Sequence, residues 1–230
     1  MLKHSGALRG SKKSVFIVDD HPLVCSALER LLDAQPDLTA CGTTDNVDDA
    51  LRQIAVSRPT LVIVDISLKG ANGLELIKRI HEDATARGDP PPLILVVSAH
   101  DELLYATRAL KAGANGYLNK DVDLEQILRA VRSVLGGQIF ISDTMRQRQP
   151  VQASSKGSAP RLATVADLSD RELEVFELIG RGLATSVIAC QLELSIKTIE
   201  THQANIKRKL NLESHLEVVR ESMLWVMEQQ

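Results

Sequence analysis

Short apolar runs that each stop at a polar, reactive side chain constrain this chain more than any other feature. Residues 15–18 run into Asp19 and Asp20, residues 61–64 into Asp65, and residues 93–97 into Ser98. A shorter run at Tyr117 and Leu118 precedes Lys120, and residues 38–43 supply a further strand-like stretch. Between these runs apolar positions recur at helical spacing, as in Leu23, Ala27, Leu28, Leu31 and Leu32, or in Val47, Ala50, Leu51 and Ile54. Pro22 suits the first turn of one helix, and Asn46 caps another that runs to Arg58. Further helices are expected over residues 73–82, 102–112 and 124–135, the last two stopped by Gly113 and by Gly136 with Gly137. Alternation of this kind predicts an α/β fold, a doubly wound five-stranded parallel sheet with helices on both faces. In such a sheet reactive groups gather at the carboxyl ends of the strands. The spacing therefore places Asp19, Asp20, Asp65, Ser98 and Lys120 on one rim.

The pattern accounts for only part of the 230 residues. Residues 147–163 hold Gln, Ser, Pro, Gly and Lys with almost no large apolar side chains, which reads as an exposed linker. After Leu168 the periodicity is purely helical. The expected layout is a disordered tail over 1–13, an α/β unit over 14–142, a linker over 143–163 and an all-α unit over 164–230. No apolar run approaches the ~20 residues of a membrane span, and the polar, basic start lacks the core of a secretory signal, so the expected location is cytoplasmic with no membrane partner. Cys25, Cys41 and Cys190 are far apart and form no metal-binding pair, which leaves small hydrophobes in a reducing compartment as the expectation.

Three carboxylates and a lysine at one rim are a chemical problem and an opportunity. Packed carboxylates repel unless a cation joins them. Hard oxygen ligands suit Mg²⁺, and a central carboxylate is then a nucleophile toward a phosphoryl group whose oxygens a lysine and a hydroxyl neutralise. On Asp19-Asp20-His21-Pro22, Val64-Asp65-Ile66, Ser98-Ala99 and Tyr117-Leu118-Asn119-Lys120, residues 14–142 resemble the receiver domain of two-component response regulators, a flavodoxin-like fold. The resemblance implies that Asp65 is the phosphoacceptor, loaded by a sensor histidine kinase or phosphotransfer protein. It implies that Asp19, Asp20, Asp65 and the backbone carbonyl of Ser67 hold Mg²⁺, that Ser98 and Lys120 bind the phosphoryl group, and that Tyr117 is the aromatic switch. The chain departs from the family at Lys69, where a proline is usual, which suggests a more mobile loop over residues 67–72. It also departs at Cys25, where relatives often carry arginine. An aspartyl phosphatase on a similar sheet would need a second carboxylate two residues after the nucleophile. Ser67 stands there, so the chain is not expected to be an enzyme.

In the helical unit Ser169 and Glu172 form a capping box, with Leu173, Val175, Phe176, Leu178 and Ile179 as the buried face. A short helix over 185–192 is expected to bury Val187, Ile188 and Leu192. A third helix over 196–210 is expected to bury Ile196, Ile199, Ile206 and Leu210, and to present Lys197, Thr201, Ala204 and Arg208 outward with Glu200 and Asn205 on the flanks. This unit carries 7 Lys and Arg against 11 Asp and Glu, so it is acidic overall and does not look like a nucleic-acid binder by charge. Only residues 195–210 are locally basic, through Lys197, Lys207, Arg208 and Lys209. On Leu168 to Leu210, with Thr198-Ile199-Glu200-Thr201-His202 in the recognition helix, the unit resembles the LuxR-type helix-turn-helix, and the whole chain resembles the NarL/FixJ subfamily. The resemblance implies double-stranded promoter DNA as a partner, and contacts by Lys197, Thr198, Glu200, Thr201, Ala204, Asn205, Lys207, Arg208 and Lys209. Gln203 replaces a common arginine and removes one phosphate contact. A last helix over 214–227 places Leu216, Val219, Met223 and Val226 at near-helical spacing, and the family pairs two copies through it, as a homodimer when phosphorylated. A flexible linker permits the α/β unit to mask the recognition helix at rest.

Overall fold

The computed structural model describes residues 12–100, 102–142, 145 and 164–228. The first unit alternates β1 (Lys13–Val18), α1 (Pro22–Asp33), β2 (Leu38–Thr44), α2 (Val47–Ser57), β3 (Leu61–Val64), the two-residue strands β4 (Ser67–Leu68) and β5 (Ala71–Asn72), α3 (Gly73–Arg87), β6 (Leu93–Ser98), α4 (Glu102–Ala112), β7 (Gly116–Asn119) and α5 (Leu124–Leu135). The long strands form one parallel sheet in the order β2-β1-β3-β6-β7, the doubly wound arrangement the alternation predicted. Every strand register alternates between two cores. Phe16, Val18, Val62, Val64, Ile94, Val96 and Tyr117 face α2, α3 and α4. Val15, Ile17, Leu61, Ile63, Leu95, Val97 and Leu118 face α1 and α5. Strands buried on both sides read as unbroken apolar runs for this reason.

The elements differ from expectation in a few places. β1 begins at Lys13, one residue before the expected boundary. α3 continues five residues past Glu82, because 83–87 contain no breaker and the stop is Gly88, whose φ of 70° ends the helix in the left-handed region. The stretch 67–72 is not a loose loop. It is an antiparallel hairpin with Gly70 at its tip, and Ile66 and Leu68 are buried beneath it. The expected linker over 147–163 and most of the expected tail lie outside the described residues.

The helical unit opens with a 3₁₀ turn (Val165–Asp167), followed by α6 (Asp170–Gly180), α7 (Thr185–Gln191), α8 (Ile196–Lys209) and α9 (His215–Glu228). The Ser169 hydroxyl accepts from Glu172 N, and the Glu172 carboxylate accepts from Ser169 N, so the capping box forms as read. Glu193, at φ 51°, makes the turn between α7 and α8, and Ser195 caps α8. A methyl group on Gly180 would lie 2.3 Å from the Ser222 carbonyl oxygen, so only glycine lets α6 and α9 cross this closely. Ile188, Leu192, Ile199 and Ile206 are buried as expected. Val187 and Ile196 are not: they are 50% and 51% exposed, each near the start of its helix.

Candidate functional site

The rim is built by strand register. Val18 pairs with Val64, and Ser98 pairs with Asn119, so the residues at or just beyond four strand ends converge. Asp19 and Asp65 are buried, and Asp20 is half-buried beside them. Lys120 Nζ lies 2.7 Å from Asp19 Oδ2 and 2.7 Å from Asp65 Oδ2, bridging two carboxylates that would otherwise repel. Burial pushes the Asp65 carboxyl above its ordinary value. Lys120 pulls it down and Asp19 pushes it up again, and the net shift is upward. Burial alone would lower the Lys120 ammonium, but Asp65 and Asp19 outweigh it and hold the lysine above its ordinary value.

The fit to a divalent metal rests on the remaining oxygens. Asp19, Asp20, His21 and Asp65 bring ligand atoms within 4.8 Å of one another. Asp65 Oδ1 and Asp20 Oδ1 are buried without a hydrogen-bond partner among the described residues. His21 Nδ1 stands 2.7 Å from Asp20 Oδ1, close enough for charge pairing but not aligned as a hydrogen bond. Buried anionic oxygens left unsatisfied are a donor set of the hard kind that divalent cations take. Gly73 stands against this site from behind. A Cβ there would fall 2.0 Å from the Asp65 carbonyl oxygen, so α3 can start beside the rim only on glycine.

Ser98 is fully buried, and its Oγ accepts from His100 N at 3.4 Å. Tyr117 is also buried and donates through its hydroxyl to the His100 carbonyl at 2.8 Å. In the helical unit Lys197, Glu200, Thr201, Ala204 and Arg208 form the exposed face of α8, and Thr198, Asn205, Lys207 and Lys209 are half-buried. Lys209 is engaged elsewhere: its Nζ lies 2.7 Å from Glu172 Oε2. On α9 Leu216 is 77% and Met223 is 46% exposed, whereas Val219 packs into its own unit.

Comparison with known proteins bears on both units. Residues 15–132 match the response regulator receiver domain, and residues 166–222 match the bacterial regulatory proteins of the luxR family. The nitrate/nitrite response regulator protein NarL of Escherichia coli K12 is 30% identical over 216 residues, covering 93% of this chain and 94% of NarL. The chain belongs to the NarL/FixJ subfamily of response regulators. The fimbriae Z protein of Salmonella typhimurium LT2 is 36% identical over 209 residues, covering 90% of this chain and 94% of that protein. Among solved structures, a LuxR-family two-component response regulator from Aurantimonas aligns with TM-score 0.54 at 28% identity, over 60% of this chain and 94% of its own. RcsB of Salmonella enterica serovar Typhimurium, bound to promoter rprA in the presence of phosphomimetic BeF3−, shares the fold at TM-score 0.59 and 21% identity, over 92% of this chain and 99% of its own. This subfamily consists of DNA-binding transcription regulators.

In this response regulator the receiver and the helix-turn-helix unit share a buried polar seam that sequence reasoning missed. Glu172, Glu174 and Glu177 on α6 are all buried. Glu174 Oε2 accepts from Arg171 at 2.7 Å and from Asn72 of the receiver hairpin at 3.3 Å. Glu177 Oε2 lies 3.0 Å from His100 Nδ1 and accepts from the Tyr105 hydroxyl at 3.1 Å. Arg108 on α4 donates to the Leu168 carbonyl and to Asp170, Lys78 on α3 also reaches Asp170, and Gly70 N donates to the Leu192 carbonyl. Burial would raise Glu177, but His100, Arg181 and Tyr105 hold it below its ordinary value. Part of the acidity that counted against DNA binding, Glu172, Glu174 and Glu177, is thus buried and paired. The expected masking of the recognition helix is corrected too. The receiver seats on α6, on the 3₁₀ turn ahead of it and on Leu192, and the outward face of α8 stays exposed.

Proposed function

We propose that this chain is a phosphorylation-dependent transcriptional regulator, loaded at Asp65 by a sensor histidine kinase or phosphotransfer protein, that controls promoter binding through α8. The observation that carries the reading is the rim itself. A buried aspartate keeps one oxygen on Lys120 while the other, Oδ1, has no hydrogen-bond partner among the described residues. That free oxygen is the nucleophile. Asp19, Asp20, Asp65 and the Ser67 carbonyl are the residues that would hold Mg²⁺, which neutralises phosphoryl charge when bound. Lys120 turns from the carboxylates to a phosphoryl oxygen, and the Ser98 hydroxyl donates to another. Tyr117, bonded to the turn that follows Ser98, carries the change to the receiver surface. The turn over Ser98 to His100 is the element with two arrangements that such a switch requires.

On the output side Lys197, Lys207 and Arg208 meet phosphates, while Glu200, Thr201 and Ala204 approach base edges, with Thr198 and Asn205 beside them. Lys209 acts chiefly as the partner of Glu172. Leu216 and Met223 supply an apolar patch for pairing two phosphorylated copies. No described helix is long and apolar enough to cross a membrane, and the proposed location is the cytoplasm. The test is incubation with acetyl phosphate and Mg²⁺, which should add one phosphate by mass. Asp65→Asn should abolish the addition, and undiminished labelling of that variant refutes the assignment. Mobility-shift assays on genomic fragments, with and without phosphorylation, test the output.

A further inference from the structure

His100 lies between the rim and the DNA-binding unit. Its backbone N–H donates to Ser98 Oγ at 3.4 Å, and its carbonyl accepts from the Tyr117 hydroxyl at 2.8 Å. Its ring is fixed at both nitrogens: Nε2 lies 2.7 Å from Ser67 Oγ and Nδ1 lies 3.0 Å from Glu177. Tyr105 stacks on it with ring centroids 4.4 Å apart, and the Tyr105 hydroxyl meets the same Glu177 oxygen. One residue therefore touches the hydroxyl that must reach a phosphoryl oxygen, the aromatic switch, the loop after the phosphoacceptor and the DNA-binding unit.

We propose that Glu177 of the DNA-binding unit is a positioning residue for the phosphorylation site: it anchors His100, and through His100 it holds the turn carrying Ser98 in its resting place. Ser98 cannot move toward a phosphoryl group without straining the His100 contacts, and those contacts end on Glu177. Phosphoryl binding and seating of the DNA-binding unit then compete for one turn. Competition of this sort is reciprocal, so each event weakens the other by the same factor. A bulk apolar interface would transmit the change diffusely. The His100–Glu177 contact is the member of the seam that reaches the Ser98 turn, and shifting His100 would take a hydrogen-bond partner from a buried carboxylate, which costs part of its desolvation. The proposal rests on Asp65 as phosphoacceptor.

The experiment is calorimetric titration of the full chain with beryllofluoride, a phosphoryl mimic, in the presence of Mg²⁺. Glu177→Ala should bind it at least about fivefold more tightly than the parent, the low end of ordinary coupling between sites. Glu177→Gln keeps an acceptor for the His100 N–H and the Tyr105 hydroxyl, and should restore affinity to within about twofold of the parent, a shift below that coupling range. In a His100→Ala background Glu177→Ala should have no further effect, which a general loosening of the seam would not produce. Equal affinity of parent and Glu177→Ala overturns the proposal, and so does an undiminished effect in the His100→Ala background. A parent chain that fails to bind beryllofluoride, or an Asp65→Asn variant that binds it as well as the parent, overturns the phosphoacceptor reading and this proposal with it.

Discussion

Replacing Lys120 by methionine should turn a balanced rim into a pair of buried carboxylates with no cation. The lysine touches both at 2.7 Å, and its side chain is only 15% exposed. Removing one member of a buried ion pair costs about 3–5 kcal/mol. The chain has one escape, which is to protonate Asp65. From an ordinary value near 4 that costs about 4 kcal/mol at pH 7, at 1.36 kcal/mol per unit. The two bounds agree, so a loss of about 3–4 kcal/mol is expected without metal. The pH dependence has a definite sign. Asp65 is already raised in the folded chain and rises further in the variant. A raised acid binds its proton more tightly when folded, so stability falls as pH rises between the ordinary and the raised value. The loss should therefore shrink on going from pH 7 to pH 5, by at most about 2.7 kcal/mol because the parent's Asp65 is raised as well. Mg²⁺ should restore part of it and bind the variant more tightly than the parent. The assay is urea unfolding in EDTA and in Mg²⁺, followed by near-ultraviolet circular dichroism of Tyr105 and Tyr117, the two tyrosines of the chain, both in the receiver. A loss under about 1 kcal/mol at pH 7 in EDTA, the ceiling for an exposed pair, or a loss as large at pH 5 as at pH 7, refutes the reasoning.

Three further outcomes are expected. Lys197→Ala should weaken binding to every DNA sequence and reduce the salt slope by about 0.9, whereas Glu200→Ala should shift base preference by about 1–3 kcal/mol; selection from a randomised pool at two salt concentrations separates these. Glu172 would be raised by burial, but Lys209 and the Ser169 cap hold it below its ordinary value, so its stabilisation is present above about pH 4.5 and lost as pH falls through the lower folded value. Lys209→Ala should accordingly move acid unfolding of the helical unit, followed by the fluorescence of Trp225, to higher pH. Burial, with Asp19 beside it, pushes the Cys25 thiol up to about 11, so at pH 8 only about one molecule in a thousand is thiolate. Iodoacetamide should modify the exposed Cys190 long before Cys25, and urea should abolish the difference, as peptide mass mapping would show.

The rim was legible because each of its residues ends an apolar run, and parallel strands bring such ends together whatever the intervening helices contain. Ser169, Ser195 and Asn46 were legible as caps because capping is local chemistry. Val187 and Ile196 were misplaced because periodicity assigns a face of a helix but not the point where its neighbour stops. The hairpin over residues 67–72 was missed because its pairing is two residues long and gives no pattern. Glu174 and Glu177 were invisible for a deeper reason. Their partners Asn72 and His100 lie 102 and 77 positions away, in the other unit. An acidic residue on a helix reads as solvated unless its counterpart is known. The acidic balance of the helical unit was the one hint.

The seam and the exposed face of α8 occupy separate surfaces of the helix-turn-helix unit, and this separates two kinds of change. Lys197, Glu200, Thr201, Ala204 and Arg208 can be exchanged without disturbing a contact to the receiver, because none of them makes a hydrogen bond or ion pair across the seam among the described residues. With the role proposed for α8, duplicated copies of such a regulator are free to diverge in target sequence while keeping the same contacts to the receiver. The converse does not hold. A receiver spliced onto a foreign helix-turn-helix module would leave Asn72, His100 and Arg108 facing whatever that module's first helix carries. A module boundary drawn through residues 143–163 would separate the receiver from Asp170, Glu174 and Glu177, its partners on α6.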